Sequence, residues 1–213
     1  ADYTFSDGST KKAGTIGTIG TTSFFPSKNL GCYGDGGAMF TNDDKLADKL
    51  KMIANHGQKT RYYHDLVGCN SRLDTLQAAI LNIKLSLLDK YIAARQSLAA
   101  QYDLAFAGNK HIKTPVIANY SSHVFHQYTL VLEGVDRNGL NQYLADKGVP
   151  SMIYYPVPAH RQKMFDSFSL QMADLPVTDW LTERVISLPM HTEMEAEQLQ
   201  FITSNVVEYI NQK

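Results

Sequence analysis

The feature that most constrains the fold is an uninterrupted helical pattern between Leu73 and Phe106. No Pro or Gly occurs in this stretch, and apolar residues recur at steps of three and four: Leu76, Ile80, Ile83, Leu87, Tyr91, Ala94, Leu98 and Tyr102. This spacing places an apolar stripe along a helix. The pattern predicts one long helix or two in succession, up to ~50 Å in length. We expect a helix of that length to connect two domains.

Shorter elements of alternating type follow the long helix. Residues 126–132 predict a strand, residues 136–148 a helix and residues 150–155 a second strand, before a Pro-rich loop and more helix. A capping box of Thr192 and Glu195 predicts the start of the last helix. The apolar face of that helix holds Leu199, Ile202, Val206 and Ile210. This alternation predicts a small α/β or α+β domain.

Two short strands and a helix are predicted before the long helix. Residues 15–25 alternate small, β-branched and aromatic side chains, and residues 36–41 form a second short apolar run. A helix over residues 42–57 follows, with Asp43 or Asp44 near its N-cap.

Composition excludes several classes of protein. The 20 Lys and Arg residues nearly balance the 21 Asp and Glu residues, and no basic stripe could neutralise a row of phosphates, so we expect no nucleic-acid partner. No apolar run approaches the ~18 residues of a membrane span, so we expect a soluble protein. Cys32 and Cys69 have no His or Cys nearby at metal-ligand spacing. We expect both to be reduced, buried thiols of a cytoplasmic protein.

One lysine, Lys28, follows the first predicted strand and precedes a glycine-rich run. A lone Lys in such a loop is usually a solvated surface residue. A lysine that bonds covalently to a cofactor must instead present a partly desolvated, neutral amine. Phe24, Phe25 and Leu30 could desolvate it here. The residue types alone leave both interpretations open.

Small and polar residues near Lys28 suit a phosphate group. Hydroxyls at Thr22, Ser23 and Ser27 can donate to phosphate oxygens, and glycines allow the backbone to approach closely. A nucleotide-binding glycine loop is an alternative, but residues 31–37 match neither the GxGxxG pattern before a helix nor the P-loop pattern. A plain turn between two strands is compatible with either chemistry.

Four segments carry a more specific resemblance. They read SFFPSKNLGCYGDGGAMFTND, NHGQKTRYYHDLVGCNSRLDTLQAAIL, HQYTLVL and YYPVPAHRQ. With these motifs the chain resembles, over essentially all its length, the DegT/DnrJ/EryC1/StrS family of pyridoxal-phosphate-dependent sugar aminotransferases. It is most similar to members that aminate position 3 of an oxidised UDP-N-acetylglucosaminuronic acid for bacterial surface polysaccharides.

The resemblance implies an α/β fold of the aspartate-aminotransferase-like type, called fold type I. Residues 1–90 would belong to a large cofactor domain, residues 91–108 to a connecting helix and residues 109–213 to a small C-terminal α/β domain. The resemblance also implies a homodimer with active sites at its interface and pyridoxal 5′-phosphate as cofactor. The expected reaction transfers an amino group from an amino acid, glutamate by analogy, to a keto-sugar nucleotide.

Several residues acquire roles from the same resemblance. Lys28 matches the Schiff-base lysine of the family, and Ser23 matches a hydroxyl that binds the cofactor phosphate. Asn70 matches an asparagine that reaches the cofactor phosphate of the neighbouring subunit. Arg72 would serve the substrate or hold the interface, and a structural pair with Asp74 is an equally good interpretation.

The segment YYPVPAHRQ matches a substrate-contacting loop that more often reads His-Tyr-Pro in relatives. Tyr154 replaces that His, so Tyr155 is the safer of the two expected sugar contacts. We expect His160 to be a loop residue rather than an acid or base, and we assign no catalytic role to His123 or His126.

Family members also carry an earlier segment with the partner of the pyridine nitrogen, the residue stacked on the cofactor and part of the phosphate cup. The sequence begins at Ala1, just after the expected place of that segment. We therefore expect a C-terminal fragment whose site is incomplete alone. The alternatives are an aminotransferase acting on a 4-keto-6-deoxy sugar nucleotide and an inactive fragment with a dimerisation or regulatory role.

Overall fold

A computed structural model describes residues 1–167 and 173–212 of the chain, which divides into two compact units. The first unit contains residues 1–93 and 117–124. The second contains residues 94–116 and the described residues from 125 onward. The domain boundaries predicted from the sequence remain predictions.

The strands of the first unit form two-stranded antiparallel sheets. They are β1 (Asp2–Thr4) with β2 (Thr10–Lys12), β3 (Gly20–Ser23) with β4 (Gly37–Phe40), and β5 (Gln58–Thr60) with β6 (Tyr63–His64). The strand predicted over 36–41 is confirmed as β4. The strand predicted over 15–25 begins only at Gly20, because the chain first folds back on itself. A Cβ atom on Gly20 would lie 1.5 Å from the carbonyl oxygen of Gly14.

The first helix, α1 (Asp44–Ala54), confirms one of the two predicted caps. The Asp43 carboxylate accepts hydrogen bonds from the backbone N–H groups of Lys45 at 2.8 Å and Leu46 at 3.1 Å. These are two of the N–H groups that a helix start leaves without a partner. Asp43 therefore fixes where α1 begins.

The long helical pattern is two helices in succession, α2 (Thr75–Leu85) and α3 (Leu88–Phe106). Ser86 and Leu87 separate them, and the Ser86 hydroxyl donates to the carbonyl of Ile83 at 2.8 Å. A side-chain hydroxyl that bonds a preceding carbonyl competes with the helical hydrogen bond at that point. A serine inside an apolar pattern thus marks the break.

Residues 117–124 join the first unit beside β1. The N–H of Thr4 donates to the carbonyl of Tyr120 at 2.7 Å. Asp2 and Ser122 are linked twice, by Asp2 N–H to the Ser122 hydroxyl at 2.7 Å and by Ser122 N–H to the Asp2 carbonyl at 3.0 Å. These contacts fix the segment on the first unit.

The second unit contains an antiparallel sheet in the order β7-β8-β9. Its elements are β7 (Ile112–Lys113), β8 (Tyr128–Leu132), α4 (Arg137–Asp146), α5 (Pro176–Thr182), β9 (Val185–Leu188) and α6 (Ala196–Asn211). The strand predicted over 126–132 and the helix predicted over 136–148 are confirmed. No strand was predicted where β9 lies, because a four-residue apolar run carries no distinguishing period.

The predicted strand over residues 150–155 is wrong in extent. Only Met152 pairs with the sheet, through its N–H to the carbonyl of Ser187 at 3.0 Å and the reciprocal bond at 2.7 Å. Pro150 and Pro156 lie on either side. Proline has no N–H to donate, so the pairing cannot extend in either direction as a regular ladder.

The hydrophobic core lies in the second unit, between the sheet and its helices. The rings of Tyr102 on α3 and Tyr128 on β8 stack with centroids 4.7 Å apart, and both side chains are fully buried. The apolar face predicted for α6 is confirmed, since Leu199, Ile202, Val206 and Ile210 are all buried.

The predicted start of α6 at Thr192 is wrong. The helix begins at Ala196, and its capping box pairs Glu195 with Gln198. The backbone N–H of Glu195 donates to the Gln198 side chain at 2.9 Å. The same Glu is therefore the N-cap residue rather than the third residue of the box.

The two cysteines differ in burial. Cys32 is fully buried as predicted, whereas Cys69 is exposed, and both are free thiols. The prediction for Cys69 is wrong because its backbone rather than its side chain makes the packing contacts. Its N–H donates to the carbonyl of Ile53, and its carbonyl accepts from His56, both at 2.9 Å. No helix in the described part of the chain is long and apolar enough to cross a membrane.

Candidate active site

Lys28 lies in a loop, residues 24–36, that connects β3 to β4; we call it the lysine loop. The N–H of Phe24 donates to the carbonyl of Gly36, and the N–H of Cys32 donates to the carbonyl of Phe24, both at 2.8 Å. These bonds continue the pairing of β3 with β4 and close the base of the loop. Lys28 is thus presented beyond the end of a strand, as predicted.

The Lys28 side chain is half-buried. Its backbone N–H donates to the carbonyl of Phe25 at 2.8 Å, which makes a tight turn. Among the described residues its ammonium group makes no hydrogen bond or ion pair. Phe24 and Leu30 are half-buried as well, whereas Phe25 is 51% exposed. A partly shielded amine without a carboxylate partner suits a lysine that must react as a nucleophile.

Two glycines allow the lysine loop to pack tightly. A Cβ on Gly31 would lie 2.5 Å from the carbonyl oxygen of Pro26, and a Cβ on Gly36 would lie 2.9 Å from a methyl group of Leu73. Cys32 lies between these glycines, and its thiol contacts the carbonyl of Phe24 at 2.9 Å. The glycines therefore serve close packing of the loop on itself and on neighbouring residues.

Helix α2 holds the far side of the loop with two side chains that the sequence analysis missed. The Lys84 ammonium donates to the carbonyl of Gly31 at 2.7 Å, and the Gln77 side chain accepts from the N–H of Tyr33 at 2.8 Å. Gln77 and Lys84 are seven residues apart and so share one helix face. That spacing is the one signal that could have grouped them.

Ser23 lies at the end of β3 with an exposed side chain. Its Oγ accepts a hydrogen bond from the N–H of Phe25 at 3.3 Å. Within the described chain its own proton has no acceptor, so the hydroxyl can donate outward. Gly37 pairs with Ser23 across the strands, where a Cβ would lie 2.8 Å from the carbonyl oxygen of Thr22.

Asn70 and Arg72 are brought into direct contact on the surface of the first unit. Asn70 pairs with Asn55 just beyond α1, and its side-chain oxygen accepts from the Arg72 Nε at 3.1 Å. Among the described residues Arg72 makes no ion pair with Asp74, so the alternative structural pair is not observed. Both Asn70 and Arg72 are exposed. No hydrogen bond described in the chain joins either of them to Lys28.

Tyr154 and Tyr155 lie in the second unit, directly after the Met152 bridge. Their rings are 5.6 Å apart, edge to face. Both line a cavity of about 590 Å³ together with Val157, Met164 and residues of α5. Tyr155 is 71% exposed and Tyr154 is half-buried.

The loop after these tyrosines is held on α5. Arg161 forms an ion pair with the carboxylate of Asp179, and the His160 Nε2 lies 3.9 Å from the same carboxylate. The His160 side chain is only 17% exposed. His160 is thus packed beside the ion pair that connects this loop to α5, and its expected lack of an acid or base role stays a prediction.

The site contains the partly shielded amine of Lys28 and the hydroxyl of Ser23 at the end of β3, which is free to donate outward. The glycines of the lysine loop allow close approach to its backbone. These features fit the aldehyde and phosphate groups of pyridoxal phosphate. Groups of three or more His, Cys, Asp or Glu that could hold a metal ion do not occur in the described chain.

Comparison with known proteins gives one family. The model of the DegT/DnrJ/EryC1/StrS aminotransferase family matches residues 3–207. A UDP-2-acetamido-2-deoxy-3-oxo-D-glucuronate aminotransferase from Pseudomonas aeruginosa is 45% identical over 90% of this chain and 52% of its own. A pleiotropic regulatory protein from Geobacillus stearothermophilus is 42% identical over 93% of this chain and 54% of its own. The chain spans about half the length of these relatives.

Solved structures agree with this result. A DegT DnrJ EryC1 StrS aminotransferase from Brucella abortus is 40% identical with a TM-score of 0.83, over 92% of this chain and 52% of its own. NtdA from Bacillus subtilis, solved with bound cofactor PMP, is 27% identical with a TM-score of 0.79, over 92% of this chain and 46% of its own. The expected α/β fold of the aspartate-aminotransferase-like type is confirmed.

Proposed function

Because the chain belongs to the DegT/DnrJ/EryC1/StrS aminotransferase family, we propose that it forms part of an enzyme that uses pyridoxal 5′-phosphate to transfer an amino group to a keto-sugar nucleotide. The observation that carries this proposal is the half-buried Lys28 amine, which has no carboxylate partner in the described chain. Its loop is closed at the base by the pairing of β3 with β4.

Lys28 would hold the cofactor by a covalent bond from its Nζ. The Lys28 amine, when it is not engaged in that bond, would take up a proton from the α-carbon of the amino donor and give it up again to complete the transfer. Pyridoxal phosphate supplies, when bound, an electron-withdrawing ring that makes this α-proton removable. One residue thus acts as both anchor and proton carrier.

Ser23 and Asn70 would bind the cofactor phosphate from two subunits. Ser23 can donate its hydroxyl proton from the end of β3. Asn70 presents an exposed amide on the surface of the first unit, and its oxygen already accepts from Arg72, which leaves the NH₂ group to donate. A homodimer in which Asn70 serves the neighbouring site is consistent with this exposure.

Arg72, Tyr154 and Tyr155 would contact the nucleotide sugar. A guanidinium group suits diphosphate oxygens, and tyrosine offers a ring face and a hydroxyl to a sugar. The name of the Pseudomonas relative supports a 3-oxo sugar carried on UDP as the substrate. We propose glutamate as the amino donor and a cytoplasmic site of action, which the two free cysteines support.

A regulatory role is the second candidate function. The name of the 42% identical Geobacillus relative favours it. The two functions differ in what they require of Lys28, since a purely regulatory protein needs no covalent attachment at this amine.

The test is to incubate the intact protein with pyridoxal phosphate, reduce it with borohydride and locate the modified peptide by mass spectrometry. We expect a stable adduct on Lys28 and none on the exposed Lys49 under the same conditions. Amino transfer from glutamate to a 3-oxo and to a 4-oxo sugar nucleotide would then identify the substrate. An adduct that is absent from Lys28 would contradict the enzymatic proposal and favour the regulatory one.

A further inference from the structure

We propose that Asn29 positions the Lys28 amine by joining the lysine loop to residues 117–124. This inference rests on the proposed function, because it concerns how the cofactor lysine is presented. Asn29 follows Lys28 directly in the chain, whereas its hydrogen-bond partner lies 95 residues away.

The contact is made by one half of the Asn29 amide. The side-chain NH₂ group donates to the carbonyl of Val124 at 2.8 Å. The side-chain oxygen is buried and accepts no hydrogen bond in the described chain. The hold of Asn29 on residues 117–124 therefore depends on its donor group, which aspartate of the same shape does not have at neutral pH.

The carbonyl of Val124 is a well-fixed acceptor. Its segment is bonded to β1 through Tyr120, whose carbonyl accepts from Thr4, and through the double link of Ser122 with Asp2. A hydrogen bond to a fixed group restrains the side chain that makes it. The restraint on Asn29 is passed through one peptide unit to the Cα atom of Lys28.

Apart from the turn formed by the Lys28 N–H and the Phe25 carbonyl, the other contacts of the lysine loop restrain parts further from Lys28. Lys84 holds the carbonyl of Gly31, and the hydrogen bonds of Phe24 close the base. Asn29 is the nearest in sequence to Lys28 among the side-chain contacts described for the far end of the loop. Its loss is therefore expected to affect the amine more than the base of the loop.

The experiment compares Asn29→Asp and Asn29→Ala with Asn119→Asp in the intact, cofactor-free protein. Asn119 is an exposed residue of the same segment, so its substitution makes the same change of charge and shape without removing a described contact. The first readout is hydrogen exchange of the Lys28 amide relative to that of Tyr128, which corrects for global unfolding. The second is the rate of acylation of the Lys28 amine relative to the exposed Lys49.

We expect both readouts to increase about fivefold in both Asn29 variants, because each variant loses one net hydrogen bond. Both readouts should stay unchanged in Asn119→Asp. Asn29→Ala decides the acylation result, because it adds no charge beside Lys28. Unchanged exchange would overturn the proposal. Faster exchange with unchanged acylation would also overturn it, since Asn29 would then stabilise the loop without positioning the amine. Neither readout requires bound cofactor. A negative borohydride result would therefore count against the proposed function without deciding the outcome of this experiment.

Discussion

The Lys84 ammonium group on α2 donates a 2.7 Å hydrogen bond to the backbone carbonyl of Gly31 in the lysine loop. It also lies 4.7 Å from the centre of the Tyr33 ring. A cation held between a carbonyl and an aromatic face is restrained by both. Helix α2 and the lysine loop are therefore joined by this cation as well as by the hydrogen bond of Gln77.

Replacing Lys84 by Met keeps the apolar stem and removes the charged donor. We expect Lys84→Met to lower the free energy of unfolding by about 1 kcal/mol, since the Gly31 carbonyl loses a charged partner at a half-buried site. Urea unfolding measures the change. Lys90→Met on the exposed side of α3 is the control and should have little effect. Equal losses in the two variants would contradict the importance of this contact.

Replacing Lys28 by Arg or Ala should reduce amino transfer to background. Arginine keeps the charge but cannot serve as the covalent anchor or as a proton carrier at neutral pH. Turnover is measured with glutamate and a keto-sugar nucleotide, and Lys49→Arg is the matched control. Transamination retained in either Lys28 variant would show that the amine has another role.

Adding a methyl group at Gly31 should destabilise the lysine loop. The new Cβ would lie 2.5 Å from the carbonyl oxygen of Pro26 and 2.8 Å from that of Phe25, both backbone atoms that cannot rotate away. We expect Gly31→Ala to cost about 2 kcal/mol in unfolding experiments. At Gly17 the nearest atom to such a Cβ is 3.8 Å away, so Gly17→Ala serves as the control. A loss no larger than that of the control would refute the steric argument.

Arg95 on α3 binds three backbone carbonyls in the second unit. Its Nη1 lies 3.1 Å from the carbonyl oxygens of Phe125 and His126 and 3.2 Å from that of Met190. Burial lowers the pKa of this guanidinium from its ordinary value. We expect Arg95→Met to cost about 1 to 3 kcal/mol, because carbonyls with little access to water lose their donor.

Thermal and urea unfolding of Arg95→Met, compared with Arg61→Met at an exposed position, measures this effect. Arg95→Lys separates charge from geometry, since a single ammonium cannot reproduce the planar guanidinium. Full stability of Arg95→Lys would show that the positive charge alone is sufficient.

Tyr128 makes the stability of the second unit sensitive to alkaline pH. Burial first, and then the hydrogen bond of its hydroxyl to Asp103 at 2.5 Å, raise the pKa of Tyr128 well above its ordinary value of 10.0. Below that pH the tyrosine is neutral in both the folded and the unfolded chain. Above it only the unfolded chain loses the proton, so stability falls as the pH rises further.

We therefore expect the free energy of unfolding to fall less steeply above about pH 10 in Tyr128→Phe than in the parent protein. The variant should be less stable at neutral pH, because Asp103 loses its partner. Tyr63→Phe, at a 69% exposed position, should keep the parent's pH dependence. If the free energy of unfolding fell equally steeply with pH in Tyr128→Phe and the parent, the alkaline sensitivity would not come from Tyr128.

Local signals in the sequence predicted much of the fold. The Asp43 cap, β4, β8 and α4 follow from residue types within a few positions of each element, and so does the place of Lys28 beyond a strand end. The predictions were least successful for elements whose position depends on contacts with residues distant in the sequence. The single Met152 pairing and the burial of β9 depend on such contacts, and the local pattern of apolar residues does not reveal them.

The same distinction applies to the candidate site. The resemblance to a family drew attention to Lys28, and the residue types around it agreed. The support of its loop by Lys84 and Asn29 went unnoticed, since their partners are 53 and 95 residues away. Every residue has a backbone carbonyl, so the residue type of the acceptor does not show that a side chain will donate to it.

The bridge between Met152 and Ser187 consists of backbone groups only. Hydrogen bonds of this kind do not depend on the identity of the side chains that surround them. Substitutions at Tyr154 and Tyr155, just after the bridge, would therefore leave both of its hydrogen bonds in place. The lining of the neighbouring cavity can thus change while the segment that carries it stays attached to the sheet.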